Sequence, residues 1–424
     1  MQKRWIKNFD QLATTENRKL ALEIAEAGLV AISTEDVILN SVRLENNILT
    51  IQDKSFDLNN FKRIKVVGFG KCSCDAGLAL EKVLGDKITA GVIIGLQKVD
   101  CKYIETFAGT HPMPSEANIE PGKKIYETIK DSKEDDLIIV LASGGGSALL
   151  NYPESEVAQG KMLYENFLKT GETITEMNTV RKHLSLIKGG GLAQIAYPAT
   201  VVGLIFSDVP GDHFVDVASG ATYKDVTTIA DAQKIIDKYD LGKYDLIETP
   251  KEDKYFEKVY NFVLVSNKIA VEAMAKKAGE FGLKVNIIST ELYDEAKEAL
   301  RKIFNGEADN TVVLAAGEPK LIVTKTGGSG GRDLYMSLEE VKMKMIDNNS
   351  VFIALASDGM DNSDAAGAVV DKNTLGDIER SGGDMDGCLE CFDSYAAFKN
   401  SGDMIMTGPT GANVSDLIIL LTKK

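Results

Sequence analysis

The chain has 424 residues, 44% of them hydrophobic and 26% charged, with a formal net charge of −15. That length exceeds one ordinary hydrophobic core, so two domains are expected, and the charge argues against nucleic acid or an anionic membrane as a partner. No apolar run reaches the roughly 18 residues of a membrane-spanning helix, and five cysteines without a signal-peptide apolar core fit a reducing, cytoplasmic setting.

Apolar positions from about Phe9 to Ile32, with Leu20, Ile24, Ala27 and Ala31 on one face, predict a long amphipathic opening helix. Residues 42–44 and 48–51 around Asn46-Asn47 predict a hairpin. Alternation of strand and helix then begins. Strands are predicted at 64–68 and 90–95, helices at 74–84 and 117–129, and a proline-stiffened loop at Thr110-His-Pro-Met-Pro114. Asp136-Leu-Ile-Ile-Val-Leu141 reads as a buried parallel strand. It runs into Ser143-Gly-Gly-Gly-Ser147 and a helix start at Ala148. Residues 177–186 predict a helix broken by Lys188-Gly-Gly-Gly191, and 199–206 a strand ending in Ser207-Asp208.

This order implies a Rossmann-like doubly wound parallel sheet, whose ligands bind beyond the carboxyl ends of the strands. Gly70-Lys71, Ser143 to Ser147 and Ser207-Asp208 fall at such ends and are expected to share one crevice. The charged stretch 237–258 reads as a linker. Strands predicted at 261–265, 284–288, 311–316 and 351–356, with helices near 268–279 and 291–304, make the second domain α/β as well. The expected division is 1–245 and 246–424.

Several of these loops suit anion chemistry, each beside a plainer reading. Three glycines between strand and helix let backbone N–H groups approach a phosphate or carboxylate, or simply make a tight turn. Lys71 could place an ammonium against a transferring phosphoryl group, or be solvated. Arg181-Lys182-His183 with Lys188-Gly189-Gly190 is a basic cluster in an acidic chain, either anion-binding or a helix face. Asp208 could hold Mg²⁺ or act as a base, or cap its turn, and Asp358 with Asp361 poses the same choice. Thr326-Gly-Gly-Ser-Gly-Gly331 puts a glycine-rich backbone beside Arg332, whose guanidinium can grip a carboxylate in two parallel hydrogen bonds. His111, just ahead of Pro112 and Pro114, reads as a packed loop residue. Cys72-Ser-Cys74 and Cys388-Leu-Glu-Cys391 could supply four thiolates to zinc, but they lie far apart and have no histidine with them. A dinucleotide fold would want G-x-G-x-x-G after the first strand, and Gly68-Phe-Gly70-Lys-Cys-Ser73 lacks the third glycine.

Read together, the motifs resemble the glycerate 2-kinase family with a C-terminal MOFRL domain, some of whose members are named hydroxypyruvate reductase-like. The matching text includes Gly68-Phe-Gly-Lys71, Gly109-Thr-His-Pro112, Ser143-Gly-Gly-Gly-Ser147, Asn178-Thr-Val-Arg-Lys-His183, Ser207-Asp-Val209, Gly317-Glu-Pro319, Gly330-Gly-Arg332, Asp358-Gly359 and Thr407-Gly-Pro-Thr-Gly411. The order is collinear over nearly the whole chain. The resemblance implies phosphorylation of D-glycerate at the 2-hydroxyl by ATP with Mg²⁺, in a cleft between a Rossmann-like domain and a smaller MOFRL domain. It implies Lys71, Asp208 and Arg332 as catalytic or substrate-binding groups. Ser143, Gly144, Gly145, Gly146, Ser147, Lys188, Gly189, Gly190 and Glu318 are implied to bind nucleotide, and Asp208 and Asp358 the metal. The alternatives are a kinase of a related hydroxy acid, a nicotinamide-dependent hydroxypyruvate reductase and a non-catalytic binder. A homodimer is the expected assembly. The chain departs from the family text at Gly191, Ala221, Asp333 and Met360, where arginine, proline, asparagine and threonine are usual.

Overall fold

The computed structural model describes residues 4–167, 174–209, 213–324 and 327–424. Thr326 and the segment 210–212, both within motifs noted above, lie outside the described residues. The chain divides into two compact units. One spans Thr34–Val209 and His213–Leu264, and the other joins Met1–Ser33 to Val265–Lys424.

In the first unit, β1 (Val42–Glu45), β2 (Ile48–Ile51) and β3 (Lys54–Asp57) form an antiparallel meander, one strand longer than the expected hairpin. The main sheet holds β4 (Arg63–Phe69), β5 (Ile88–Gly95), β6 (Glu105–Ala108), β7 (Asp136–Ser143), β8 (Thr200–Phe206) and β9 (Val259–Val265) in the order β6-β5-β4-β7-β8-β9. This is the doubly wound arrangement, with its strand-order reversal between β4 and β7. Helices cover the sheet, so every residue of β7 is buried, which is why the strand reads as an unbroken apolar run. Phe69 pairs with Ala142 and Ser143 with Phe206, so the carboxyl ends of β4, β7 and β8 finish level. Core side chains Val67, Ile94, Ile138, Val140 and Ile205 pack on this frame.

The second unit holds a mixed sheet of β10 (Lys284–Leu292), β11 (Thr311–Gly317), β12 (Ser350–Ala356), β13 (Gly367–Val370), β14 (Met404–Ile405) and β15 (Asp416–Thr422), in the order β10-β11-β15-β12-β13-β14. Only β10 and β11 pair in parallel; β15 runs antiparallel between β11 and β12.

Two expectations change here. Residues 261–265 form β9 on the first sheet beside β8, where the Val201 N–H donates to the Lys258 carbonyl at 2.9 Å, rather than opening the second domain. The opening helix also breaks into Phe9–Leu12 and Glu16–Ala31, because the Thr15 hydroxyl caps the second piece by accepting from the Arg18 N–H at 3.2 Å. That second helix belongs with the C-terminal residues, not with residues 34–245. It buries Leu20, Leu22, Ile24, Ala25 and Leu29. Its Arg18 guanidinium, 4% exposed, donates to Asp371 at 2.7 Å and Asp403 at 2.8 Å.

Candidate functional site

In the first unit the site is built at the switch point. The chain leaves β4 through Gly70 and Lys71, and the Lys71 N–H donates to the Gly144 carbonyl at 2.8 Å. This ties the β4 turn to the β7 turn. Gly145 adopts φ +76°, and a Cβ there would stand 2.9 Å from His111 and 3.0 Å from the Lys71 side chain. Only glycine fits that conformation and that spacing. Gly144 lies against Asp208 at the end of β8, whose carboxylate oxygen is 1.9 Å from where a Cβ would be. Lys71, His111, Gly144, Gly145 and Asp208 are thereby brought together.

The two glycine loops differ in what their backbone offers. Among the described residues, no hydrogen bond uses the N–H groups of Gly144, Gly145, Gly146 and Ser147. The N–H groups of Gly189 and Gly190 instead donate to the Ser219 and Gly220 carbonyls, each at 2.9 Å. The first loop presents free donors, and the second is a structural joint. The helix after the first loop is only Gly146–Leu149, so the expected dipole contribution is small and the donors themselves carry the anion affinity.

The side chains also separate. The Ser143 hydroxyl is buried, bonded to Ser73 at 3.1 Å and to the Cys72 N–H at 3.3 Å. Ser147 pairs with Ser219 at 2.8 Å. Lys188 corrects the expectation of a phosphate-binding ammonium. It is 2% exposed and ion-paired with the equally buried Glu156. Burial lowers the Lys188 pKa and raises that of Glu156. Lys182 is held by Asp216 at 3.4 Å and Asp225 at 3.5 Å. His183, fully buried, meets the Ile247 carbonyl at 2.9 Å and Thr227 at 3.3 Å. Of the basic cluster, Arg181 stands apart. It is 9% exposed, and no carboxylate pairs with it among the described residues.

In the second unit a cavity of about 260 Å³ is lined by Glu318, Gly331, Arg332, Asp358, Asp361 and Asp416, among others. The sheet assembles it. Asp416 opens β15 and pairs with Gly317 at the end of β11 and Ala356 at the end of β12, so Glu318, Asp358 and Asp416 converge. Arg332 starts the helix Arg332–Met343 and contacts Asp416 at 2.9 Å and Glu318 at 3.1 Å. Burial alone would lower the Arg332 pKa, but those two carboxylates outweigh it and raise it. Asp416 is pushed up to about 7 by burial, with Arg332 opposing. The Asp361 carboxylate accepts from the Gly331 and Leu334 N–H groups at 3.1 and 2.7 Å and fixes the glycine-rich turn. Asp358 accepts from the Met360 N–H at 3.0 Å.

Asp333 is 1% exposed and neither carboxyl oxygen has a hydrogen-bond partner. Burial first, then Asp416 and Asp361, raise its pKa well above the ordinary value. Sequence reasoning missed Asp416 because β15 was not predicted, although Asp416-Leu-Ile-Ile repeats the opening of β7. Cys72 and Cys74 lie in one compact unit, and Cys388 and Cys391 in the other. Among the described residues no group of three or more histidines, cysteines or carboxylates could hold a metal, and no helix is long and apolar enough to cross a membrane.

A doubly wound sheet with a donor-lined switch point, and a second α/β unit presenting an arginine in an acid-lined cavity, define an α/β protein that handles small anionic ligands. A family model described as a domain of unknown function (DUF4147) matches residues 20–248, and the MOFRL family model matches residues 311–416. A glycerate 2-kinase of Pyrococcus horikoshii is 33% identical over 95% of this chain and 98% of its own. An Agrobacterium vitis protein, named provisionally as a hydroxypyruvate reductase, is 36% identical over 85% of this chain and 87% of its own. The crystal structure of glycerate kinase from Thermotoga maritima superposes with a TM-score of 0.84 at 31% identity, covering 95% of this chain and 99% of that one. The chain belongs to the glycerate 2-kinase family with a C-terminal MOFRL domain.

Proposed function

We propose that this protein transfers the terminal phosphoryl group of ATP to the 2-hydroxyl of D-glycerate, giving 2-phosphoglycerate and ADP. The observation that carries this reading is the row of undonated N–H groups at Gly144 to Ser147 beside Lys71, at the switch point of the sheet. Phosphoryl transfer needs positioning and charge stabilisation more than covalent chemistry. The loop would cradle phosphate oxygens and the Lys71 ammonium would offset charge that grows on them in the transition state. Asp208, against the same loop, would accept the proton of the attacking hydroxyl. Arg332 would hold an anionic group of a substrate, with Glu318 and Asp416 fixing its fork.

Both compact units contribute residues in this scheme, Lys71 and Asp208 from the first and Arg332 from the second. Asp208 or Asp358 would hold the Mg²⁺ that comes with the nucleotide, which would supply charge neutralisation there. The residues present fit a nucleotide-borne Mg²⁺, which needs only one or two protein carboxylates, such as Asp208 or Asp358, and not a dedicated protein cage. A reductase reading has less support, because the β4 turn lacks the third glycine of a dinucleotide loop. A cytoplasmic location fits free thiols at all five cysteines.

The test is consumption of ATP with Mg²⁺ over D-glycerate, L-glycerate, tartronate, erythronate and no acid, with ³¹P NMR of the product. A phosphomonoester at the 2-position of D-glycerate is expected. Turnover only with another hydroxy acid would keep the kinase and reassign its substrate. Silence across the panel would reject the kinase.

A further inference from the structure

The basic segment Arg181-Lys182-His183 with Lys188 has three lysine or arginine side chains, and the fold gives two of them carboxylate partners. Lys182 has Asp216 and Asp225, and Lys188 has Glu156. Among the described residues Arg181 has only the side-chain carbonyl of Asn178, at 3.4 Å, although the residue is nine-tenths buried. Its neighbour Glu156 is already committed to Lys188, so Arg181, Lys188 and Glu156 together keep one uncompensated positive charge. Stranding a guanidinium away from water without an anion is costly. Burial moves Arg181 down, to about 10, so it stays charged at neutral pH. Its neighbours tie it to the donor loop: Lys182, the next residue, pairs with Asp216, and Ser219 of the same Phe214–Ser219 turn bonds Ser147 of that loop at 2.8 Å. Burial, then the positive charges of Lys71 and Arg181, depress His111 to about 4, and His111 lies against Gly145. Arg181 therefore adds its field to the same ring that borders the donor loop.

We propose that Arg181 is a ligand-binding residue of this site, supplying a bidentate grip for an oxyanion, either the carboxylate of the hydroxy acid or a phosphate of the nucleotide. His111, which lies against Gly145, would form a hydrogen-bonding wall of the same site. The assignment rests on the kinase reading for the source of the oxyanion, but not for the existence of the site.

The test uses the full chain with Arg181→Met and Arg181→Lys. Because no protein carboxylate loses a partner, Arg181→Met should melt at or above the wild-type temperature, whereas a structural arginine would lower it. KM for one anionic substrate should rise about 30-fold or more, the size of a lost charge-assisted hydrogen-bond pair, with kcat changing less. Arg181→Lys, which keeps the charge but not the fork, should fall between. A rise confined to the hydroxy acid assigns its carboxylate, and one confined to ATP assigns a phosphate. Unchanged KM values for both substrates in a folded Arg181→Met protein would overturn the proposal, whatever its melting temperature. If Arg181→Met does not fold, unchanged KM values in Arg181→Lys overturn it equally. If the wild type phosphorylates no hydroxy acid, inorganic phosphate is the probe. A phosphate-dependent rise in melting temperature lost in Arg181→Met supports the site although the kinase falls. No such rise in the wild type rejects the site.

Discussion

Lys71 and Arg332 differ in what surrounds them, and so in what their loss should do. Lys71 stands beside open backbone donors, while Arg332 is clamped by Asp416 and Glu318. Each alanine variant should lower turnover by about a hundredfold or more if its charge acts on the transition state. Lys71→Ala should leave the melting temperature near wild type. Arg332→Ala should lower it as well, because Asp416 is left buried without its partner. Near-normal rates in either folded variant would remove that residue from the mechanism. Asp333 carries a prediction of another kind. Its carboxyl keeps a proton in the folded state at pH values where the unfolded chain releases it. Stability is therefore fully present below the ordinary carboxyl pKa and falls as pH rises from there toward the folded pKa, by up to about 1.4 kcal/mol per unit. Asp333→Asn does not titrate. Its melting temperature should gain on wild type as pH rises above the ordinary carboxylate range, and a constant difference would mean that Asp333 is ionised in the fold.

Helix Glu16–Ala31 shows how an element is placed by contacts far away in the chain. Arg18 reaches Asp371, Thr374 and Asp403 from a position 4% exposed. Arg18→Ala would leave two buried carboxylates without their cation and should cost about 3–5 kcal/mol, read from urea denaturation, while Arg18→Met should cost less in combination with neutral partners at 371 and 403. The helix itself was legible, since its apolar spacing is local. Its destination was not, because nothing near residue 18 names residue 371. The same holds at the sites. The turns after β4, β7 and β8 announce themselves through glycine, lysine and aspartate at strand ends, and their shared level follows from the parallel order. Which cations are free was not readable. Lys188 and Arg181 look alike in the sequence, and Glu156, more than 20 positions upstream, decides between them. Asp416 escaped for a related reason: it sits on an inner strand of the second sheet, and neither that strand nor the helix that Arg332 opens was predicted.

At the scale of the molecule, the compact units do not follow the order of the chain. The C-terminal unit borrows its helix from residues 4–33. A fragment of residues 265–424 alone should therefore expose the apolar surface that Leu20, Leu22, Ile24 and Leu29 cover, and should aggregate or bind a hydrophobic dye. Fusing residues 1–33 to it through a flexible linker should restore a cooperative melting transition. A stable, dye-silent 265–424 fragment would show that the helix is an accessory and not part of that core.

This interleaving also has a meaning in time. Synthesis delivers the helix Glu16–Ala31 early, yet its seat is made last. β15, the strand that joins β11 to β12, runs through Thr422, so the second sheet has no middle until almost the whole chain is out. At about 5–20 residues per second the apolar helix waits tens of seconds while residues 34–264 are made and can fold. During that wait its exposed stripe is a natural target for a holding chaperone, and the nascent chain, more than the finished protein, carries the risk of misassembly.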